Sequence, residues 1–284
     1  MEYIVEKNEE LLKYLYSKLS NISKNNIKSL LKNEHILVND RVVTKFNYLL
    51  KEKDTIHIID NYIKDYKNIE IIYEDKDLIV VNKPENLLTI ATEKEKDRTL
   101  YNIVSKYVKS KNKNNKIYII HRLDKDTSGV LVFAKNEIIK NKLQNNWNEI
   151  VYKRGYLAIV EGKLDKKKGQ IKNYLDESKT QMVYVSNHRK GKLAITNYQV
   201  LKESRYNSLL EIFLDTGRKN QIRVHMQYLG HSIVGDKKYG AATNPLKRMG
   251  LHSHVFAFVH PDTKVKMEFK AAMPEVFKKC LVYK

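Results

Sequence analysis

Residues 121–128 bring two carboxylates, two cations and two hydroxyls together in a short stretch of the chain. These polar residues are Arg122, Asp124, Lys125, Asp126, Thr127 and Ser128. The apolar runs Ile117–Ile120 and Val130–Ala134 on either side predict buried strands, so the loop between them would be held at both ends. A carboxylate held in this way can act as a general acid, a general base or a nucleophile. The same residues could instead satisfy backbone N–H groups of a tight turn, and their spacing does not choose between the two aspartates.

A second segment, residues 214–240, places two arginines close to the predicted start of a helix. Gly217 allows a close turn after a strand, and a helix is expected over about 219–229, followed by Gly230 at the left-handed C′ position. Its apolar face consists of Ile222, Met226 and Leu229. Arg218 and Arg223 near the helix start are suited to binding a phosphate or a buried carboxylate. Taken alone, the pattern favours the simpler interpretation of an amphipathic helix with solvated arginines.

The charge of the chain predicts a polyanionic partner. The 284 residues include 53 Lys and Arg against 33 Asp and Glu, a formal net charge of +20. Nucleic acid is the first candidate and an anionic membrane surface the second, while a Lys-, Asn- and Ile-rich composition without functional meaning is the alternative. Residues 117–284 hold 31 basic and 15 acidic side chains. A stripe of lysines without intervening acids also lies near the N-terminus: Lys13, Lys18, Lys24, Lys28 and Lys32.

Composition excludes several other classes of protein. The single cysteine, Cys280, excludes a disulfide scaffold and a cysteine-based zinc cluster. No stretch approaches 18 uncharged apolar residues, and the acidic start of the chain lacks the apolar core of a signal peptide. We therefore expect a cytoplasmic protein that does not bind membranes.

Hydrophobic periodicity predicts a small α/β module over residues 1–60, a polar linker over 61–68 and an α+β body over 69–284. The module should contain two helices and a hairpin that turns at Asn39-Asp40, because apolar runs flank that pair. The body should contain a large, mostly antiparallel mixed sheet with flanking helices. Its predicted strands include 151–160, 169–175, 182–186, 193–201, 208–215, 253–259 and 264–270, and its predicted helices are 99–109, 137–149 and 219–229.

Several motifs in the body resemble those of RluA/RluD-type RNA pseudouridine synthases. In chain order they are Val80–Pro84, His121–Asp124 with Thr127–Gly129, Lys153–Ala158 with Glu161-Gly162, Ala194–Leu201, Thr216–Arg218 with Gln221–His225, Gly235–Gly240, Leu251-His252 and His260-Pro261. The resemblance extends from about Ile69 to Pro274. It implies isomerisation of uridine to pseudouridine within structured RNA, without a metal or a cofactor. Large-subunit ribosomal RNA is the expected substrate, transfer RNA is the alternative, and a monomer is expected.

The resemblance also implies roles for particular residues. Asp124 would be the catalytic carboxylate and Arg223 its cationic partner, which leaves Asp126 as the rival acid. Tyr156 would stack on the target base and could act as an acid or base at C5. Arg122 would enter the target site, Arg218 would bind substrate, and Leu251 would form an apolar wall. Because the target base is shielded inside a helix, the uridine must be flipped out or lie in a loop.

The first 60 residues resemble, over a shorter match, the small RNA-binding module of a small-subunit ribosomal protein. The matching runs are Ile27–Leu31, Ile36–Asp40 and Leu50–Ile56. Lys24, Lys28 and Lys32 are therefore candidates for phosphate contacts. The chain departs from the two family patterns at four places: Lys24 replaces an arginine, His35 a glycine, Lys219-Asn220 a Thr-His pair, and Glu85-Asn86 displaces a glycine.

Two other functions are compatible with parts of the sequence. A metal hydrolase would require several histidines to converge, namely His121, His225, His252, His254 and His260, but no His-Glu-x-x-His spacing exists. A non-catalytic RNA-binding or ribosome-assembly protein would share the charge and the N-terminal module. It would not require Asp124, Tyr156 and Arg223 together, so their joint presence favours the synthase.

Overall fold

The computed structural model describes residues 2–20, 22–32, 35–58, 69–93, 95–186 and 191–281. The chain forms two compact units, Met1–Asn68 and Ile69–Lys284. The linker predicted over 61–68 lies outside the described residues. Over the described ranges, no helix combines the length and the apolar character that a membrane crossing requires.

The described residues of the N-terminal unit form two helices and a small antiparallel sheet with strand order β1-β6-β3-β4. Its elements are β1 (Glu2–Ile4), β2 (Glu9–Glu10), α1 (Leu11–Lys18), α2 (Lys24–Lys32), β3 (Ile36–Val38), β4 (Arg41–Val42), β5 (Leu49–Leu50) and β6 (Thr55–Ile58). Leu15 of α1, Leu31 of α2 and Ile56 of β6 are fully buried in one core. The predicted hairpin is present between β3 and β4. Its turn residues, Asn39 and Asp40, have φ of 49° and 62°. These left-handed values suit a two-residue turn and are tolerated by Asn and Asp.

The second unit is built on an eleven-stranded sheet with flanking helices. Its strands are β7 (Glu70–Glu74), β8 (Leu78–Lys83), β9 (Tyr118–Ile119), β10 (Ser128–Ala134), β11 (Val151–Glu161), β12 (Lys168–Glu177), β13 (Val183–Ser186), β14 (Lys192–Glu203), β15 (Asn207–Leu214), β16 (Leu251–Val259) and β17 (Lys266–Lys270). Its helices are α3 (Leu100–Lys111), α4 (Glu137–Asn145), α5 (Trp147–Ile150), α6 (Gln221–Tyr228) and α7 (Glu275–Lys279), and a short 3-10 helix spans Lys237–Tyr239. The predicted fold class, a large and mostly antiparallel mixed sheet, is confirmed.

Two helices differ from their predicted bounds for local reasons. The helix expected over 137–149 is interrupted at Asn146, which ends α4 and lies at the start of α5. The helix expected from about 219 begins at Gln221, because Asn220 has a left-handed φ of 52°. At its end, Gly230 has the predicted left-handed conformation, with φ of 81°.

The sheet has the order β13-β12-β14-β15-β11-β16-β10-β8-β7, with β17 paired to β16 and β9 paired to β10. Among the described residues, β10 and β16 are the only neighbouring strands of this path that run parallel. Their contact is short and joins Ser128 to His252 and Gly129 to Ser253. It connects the two antiparallel halves of the sheet. The polar loop 120–127 enters β10 at this junction, so its side chains are brought beside those of β11 and β16.

Gly129 permits the close approach of β10 and β16. Its φ is 115°, and a Cβ atom added there would lie only 2.1 Å from the backbone oxygen of Ser253. An L-residue therefore meets both an unfavourable dihedral and a clash with backbone that cannot rotate away.

We predict that Gly129→Ala lowers the free energy of unfolding by several kcal/mol. The matched control is Gly230→Ala, because Gly230 also has a positive φ, of 81°, but an added Cβ meets no atom within 4 Å. The control should cost only about 1–2 kcal/mol for the left-handed conformation. Urea unfolding of both variants measures the difference, and equal losses would contradict a special constraint at the strand junction.

Candidate active site

A cleft of about 410 Å³ lies where loop 120–127 meets β11, α6 and the start of β16. All six residues predicted for the site in the larger unit contribute to its lining: Arg122, Asp124, Tyr156, Arg218, Arg223 and Leu251. The strands and the helix therefore bring together side chains that are up to 129 positions apart, from Arg122 to Leu251.

Asp124 and Arg223 form the charged centre of the cleft. The Nη1 atom of Arg223 donates a hydrogen bond of 3.3 Å to Oδ2 of Asp124. The Asp124 side chain is 36% exposed, whereas that of Arg223 is only 9% exposed. The carboxylate is thus accessible from the cleft, and the cation beside it belongs to the interior.

Asp236 fixes the Arg223 guanidinium. Nε and Nη2 of Arg223 donate to the two carboxylate oxygens of Asp236, at 2.6 and 2.8 Å. Burial opposes the charged form of Arg223, but Asp236 and, to a smaller extent, Asp124 raise its pKa above the usual value. Both ions of this bidentate pair are buried. Asp236 lies within the motif Gly235–Gly240, and the sequence alone indicates no role for it.

Asn220 belongs to the Lys219-Asn220 pair, one of the places where the chain departs from the family pattern. Its backbone is left-handed, and its side-chain amide donates to the Tyr239 hydroxyl at 2.9 Å while its Oδ1 accepts from Arg223 at 3.3 Å. The Tyr239 ring lies 4.8 Å from the guanidinium carbon of Arg223. The guanidinium is therefore held from three sides.

Tyr156 presents a half-buried ring to the same cleft from β11. Burial raises the pKa of Tyr156 to about 12, with Arg154 opposing this shift and Asp124 adding to it. The phenol is consequently protonated at neutral pH, so it can donate a hydrogen bond but cannot act as a base in that form.

The end of β8 and the segment that follows it hold the backbone of the Asp124 loop. Thr89 Oγ1 donates to the Leu123 carbonyl at 2.8 Å and accepts from the Leu123 amide at 3.3 Å. The fully buried Lys83 donates from Nζ to the Lys125 carbonyl at 3.0 Å. The loop closes on itself through the Thr127 amide, which donates to the Asp124 carbonyl at 3.2 Å. The carboxylate is thus presented by a backbone with little freedom.

Lys83 also closes its own turn, because Nζ donates to the carbonyls of Pro84 at 2.8 Å and Leu87 at 2.7 Å. Three acceptors use all three hydrogens of an ammonium group. Burial nevertheless lowers the pKa of Lys83 to about 7, against smaller opposing effects of Asp126 and Asp124. Lys83 lies in the motif Val80–Pro84, and its neighbours along the chain do not identify its partner 42 positions away.

The rival carboxylate, Asp126, faces a different space. It lines a second cavity, of about 690 Å³, together with Lys237, Lys247 and Arg248. Arg223 contributes to both cavities and separates them. The geometry therefore groups Asp124, and not Asp126, with Tyr156.

Gln221 fixes the turn that carries Arg218. Its Oε1 accepts from the Thr216 hydroxyl and the Arg218 amide, both at 2.9 Å. Its Nε2 donates to the Ile195 carbonyl at 3.0 Å and to Thr196 Oγ1 at 2.9 Å. This buried amide therefore makes all four hydrogen bonds available to it and attaches the Thr216–Arg218 turn to β14.

The histidines considered for a metal site are dispersed. His121 is stacked on Phe256 at 4.5 Å, and its Nε2 accepts from the Val132 amide at 3.2 Å. His225 is hydrogen-bonded to Thr196. Across the residues that the structure describes, no three His, Cys, Asp or Glu side chains are grouped so as to hold a metal ion.

The three lysines predicted to contact phosphates lie on α2 of the N-terminal unit. Lys24, Lys28 and Lys32 are all exposed. Their spacing of four residues places them along one face of the helix.

Comparisons with known proteins agree with the geometry. The RNA pseudouridylate synthase family profile matches residues 77–228. An uncharacterized RNA pseudouridine synthase of Bacillus subtilis is 32% identical over 270 residues, which cover 92% of this chain and 89% of that protein. The ribosomal large subunit pseudouridine synthase D of Salmonella typhimurium is 30% identical over 273 residues, which cover 89% and 83%. The structure of human RNA pseudouridylate synthase domain containing 4 has a TM-score of 0.64 at 23% identity, over 77% of this chain and 94% of that one, and so has a similar fold.

The buried lysine gives a testable pH dependence of stability. Because the pKa of Lys83 is lowered from 10.5 to about 7, the unfolded chain binds more protons than the folded chain between these values. The free energy of unfolding should therefore rise with pH across this window, by up to about 1.4 kcal/mol per pH unit from this group.

The Lys83→Met variant should lose that contribution, so its free energy of unfolding should rise less steeply with pH than that of the wild type. The matched control, Lys125→Met, removes an exposed lysine from the loop that Lys83 binds. Urea unfolding at several pH values between about 7 and 10 measures the slopes. A Lys83→Met slope equal to that of the wild type would contradict the prediction.

Proposed function

The chain belongs to the RNA pseudouridylate synthase family, and from that premise we propose which RNA it modifies and how its residues act. It is an RNA pseudouridine synthase, an enzyme that isomerises uridine within RNA. The substrate that we propose is large-subunit ribosomal RNA, which is supported by the similarity to a ribosomal large subunit pseudouridine synthase. Transfer RNA is the alternative substrate.

The observation that carries the proposed mechanism is the contact of 3.3 Å between Asp124 and Arg223 in a cleft that also contains Tyr156. The isomerisation breaks the N1–C1′ bond and forms a C5–C1′ bond, and the proton lost from C5 is balanced by one gained at N1. Asp124 is the accessible carboxylate of this cleft, so it is the group that meets the sugar or the base. The positive charge of Arg223 stabilises negative charge at the Asp124 carboxylate throughout the reaction.

A uridine can reach Asp124 only if it leaves the base stack. The cleft is lined by the Tyr156 ring and by the apolar side chain of Leu251, which suit the faces of a flipped base. Arg122 is exposed at the cleft, so its side chain can enter the space that the flipped base leaves or contact the adjacent RNA strand. In this arrangement Tyr156 supplies stacking and a hydroxyl donor.

The N-terminal unit supplies a further phosphate-binding surface in this proposal. Lys24, Lys28 and Lys32 project from one helix face with no acidic residue between positions 11 and 33. Such a surface attracts RNA without reading its sequence. The selection of the uridine then depends on the cleft and on the fold of the RNA.

The test is pseudouridine mapping of total RNA from cells with and without the gene, followed by complementation. One or more sites in large-subunit ribosomal RNA should be lost and should return with the wild-type gene. Asp124→Asn should leave them unmodified while the protein still binds RNA, whereas Asp126→Asn should restore them, because Asp126 lines the other cavity.

Each alternative has its own outcome in this experiment. A site lost from transfer RNA would identify the second substrate class. No lost site, together with growth or ribosome-assembly defects that Asp124→Asn complements, would favour a non-catalytic RNA-binding protein. Modification by Asp124→Asn at the wild-type rate would refute the assignment of this carboxylate.

The lysines of α2 give a second prediction. Each phosphate contact contributes about 0.7–0.9 to the slope of log K against log salt. Replacing Lys24, Lys28 and Lys32 by alanine should reduce that slope by about 2–3 if each binds one phosphate. The control variant replaces Lys7, Lys45 and Lys51, three exposed lysines of the same unit outside α2. Filter binding to an unmodified large-subunit ribosomal RNA transcript measures the slopes, and equal slopes for the two triple variants would contradict the prediction.

A further inference from the structure

Arg154 and Arg218 are two cations beside the cleft, and neither forms an ion pair with a described residue. Arg218 lines the cleft, and Arg154 lies on β11 two residues before Tyr156. No carboxylate of the described residues is within ion-pair distance of either guanidinium, in contrast to Arg223 and Arg248. Arg154 is half-buried and Arg218 is exposed.

Backbone carbonyls orient both side chains. Nη2 of Arg154 donates to the Asp215 carbonyl at 2.7 Å. Nε of Arg218 donates to the Leu193 carbonyl at 2.9 Å. A guanidinium has five N–H donors, so each arginine is fixed through one of them and keeps others for a ligand. Each side chain is thus oriented by the backbone, and its remaining N–H groups can bind an anion.

Gly217 brings the two arginines together. A Cβ atom added at this glycine would lie 2.8 Å from Nη1 of Arg154, so the guanidinium rests directly against the backbone that precedes Arg218. On its other side, the Arg154 guanidinium carbon lies 6.0 Å from the centre of the Trp147 ring. Because Gln221 fixes the same turn through four hydrogen bonds, the relative placement of the arginines is built into the fold.

In the protein without RNA, the surroundings of Arg154 disfavour its positive charge. Burial lowers the pKa of Arg154, Tyr156 and Asp215 oppose this shift, and the like charge of Arg218 adds a smaller lowering. A partly desolvated cation next to a like charge is unfavourable unless an anion compensates it. An anion bound between the two guanidinium groups would remove both penalties, and phosphodiester oxygens match the planar donor geometry of arginine.

We propose that Arg154 and Arg218 form a clamp for one backbone phosphate of the RNA, the phosphate adjacent to the everted uridine. The inference rests on the proposed function and adds a binding site to it. Arg154 and Tyr156 are two residues apart on one strand, so they share a face and lie about 7 Å apart along it. A single nucleotide spans this distance between its phosphate and its base. The clamp thus holds the sugar–phosphate while the base is stacked on Tyr156.

The test uses a stem-loop RNA that contains the uridine identified by mapping. Arg154→Met should raise KM about 10-fold with little change in kcat, because a charged hydrogen bond to the strand is lost but the cleft is intact. The slope of log K against log salt should fall by about 0.7–0.9. Arg154→Lys should recover part of the affinity. The matched control is Arg205→Met, which removes an exposed arginine from the turn between β14 and β15, 5.2 Å from the Tyr206 ring, and should behave as wild type.

A change in the RNA keeps the inference falsifiable if Arg154→Met is poorly folded. Neutral methylphosphonates are placed in the stem-loop at the phosphate 5′ or 3′ to the uridine, or several nucleotides away. One adjacent replacement should weaken binding to the wild type about 10-fold, and it should have no further effect on Arg154→Met. If neither adjacent replacement weakened binding to the wild type more than the replacement several nucleotides away, the clamp would be overturned. Absence of any conversion by the wild-type protein would instead overturn the proposed function.

Discussion

The site depends on a buried arginine that is shared unequally between two carboxylates. Asp236 takes two donors of Arg223 in a bidentate pair, and both partners are inside the protein. Asp124 receives one longer hydrogen bond from the remaining edge and is still 36% exposed. Because Asp236 balances most of the buried charge, the cation can remain in the interior whatever the state of Asp124. Asp124 therefore has a cationic neighbour but does not form a tight ion pair, so its carboxylate remains accessible.

The position of this arrangement follows from the sheet. Two antiparallel halves meet where β10 and β16 run parallel for two residues, and Gly129 allows their backbones to touch. Loop 120–127 reaches the junction from one half, while Tyr156 and α6 reach it from the other. Thr89 and Lys83 then fix the loop from beneath through its own backbone atoms. A catalytic side chain on such a loop loses little entropy when substrate binds.

Local patterns were sufficient for most elements but not for the contacts between them. Periodicity and turn residues predicted the strands of the large sheet, the Asn39-Asp40 hairpin and the left-handed Gly230. The choice of Asp124 over Asp126 came from a family resemblance, since the two carboxylates are equivalent in composition and spacing. The roles of Asp236 and Lys83 depend on partners 13 and 42 positions away, and no local periodicity encodes such pairs. The same limit applies to Arg154, which is an ordinary strand residue until Gly217 is folded against it.

Two departures from the family pattern place an asparagine in the left-handed region of the backbone. Asn86 follows Glu85 where a glycine is displaced, and it has a left-handed φ of 57°. Asn220 likewise has a φ of 52°. Asparagine tolerates this region better than other residues with a side chain, so both turns can form at small cost. Asn220 in addition binds Arg223 and Tyr239 with its amide. Asn220 departs from the family motif, but its side chain adds a hydrogen bond that helps to hold the guanidinium facing Asp124.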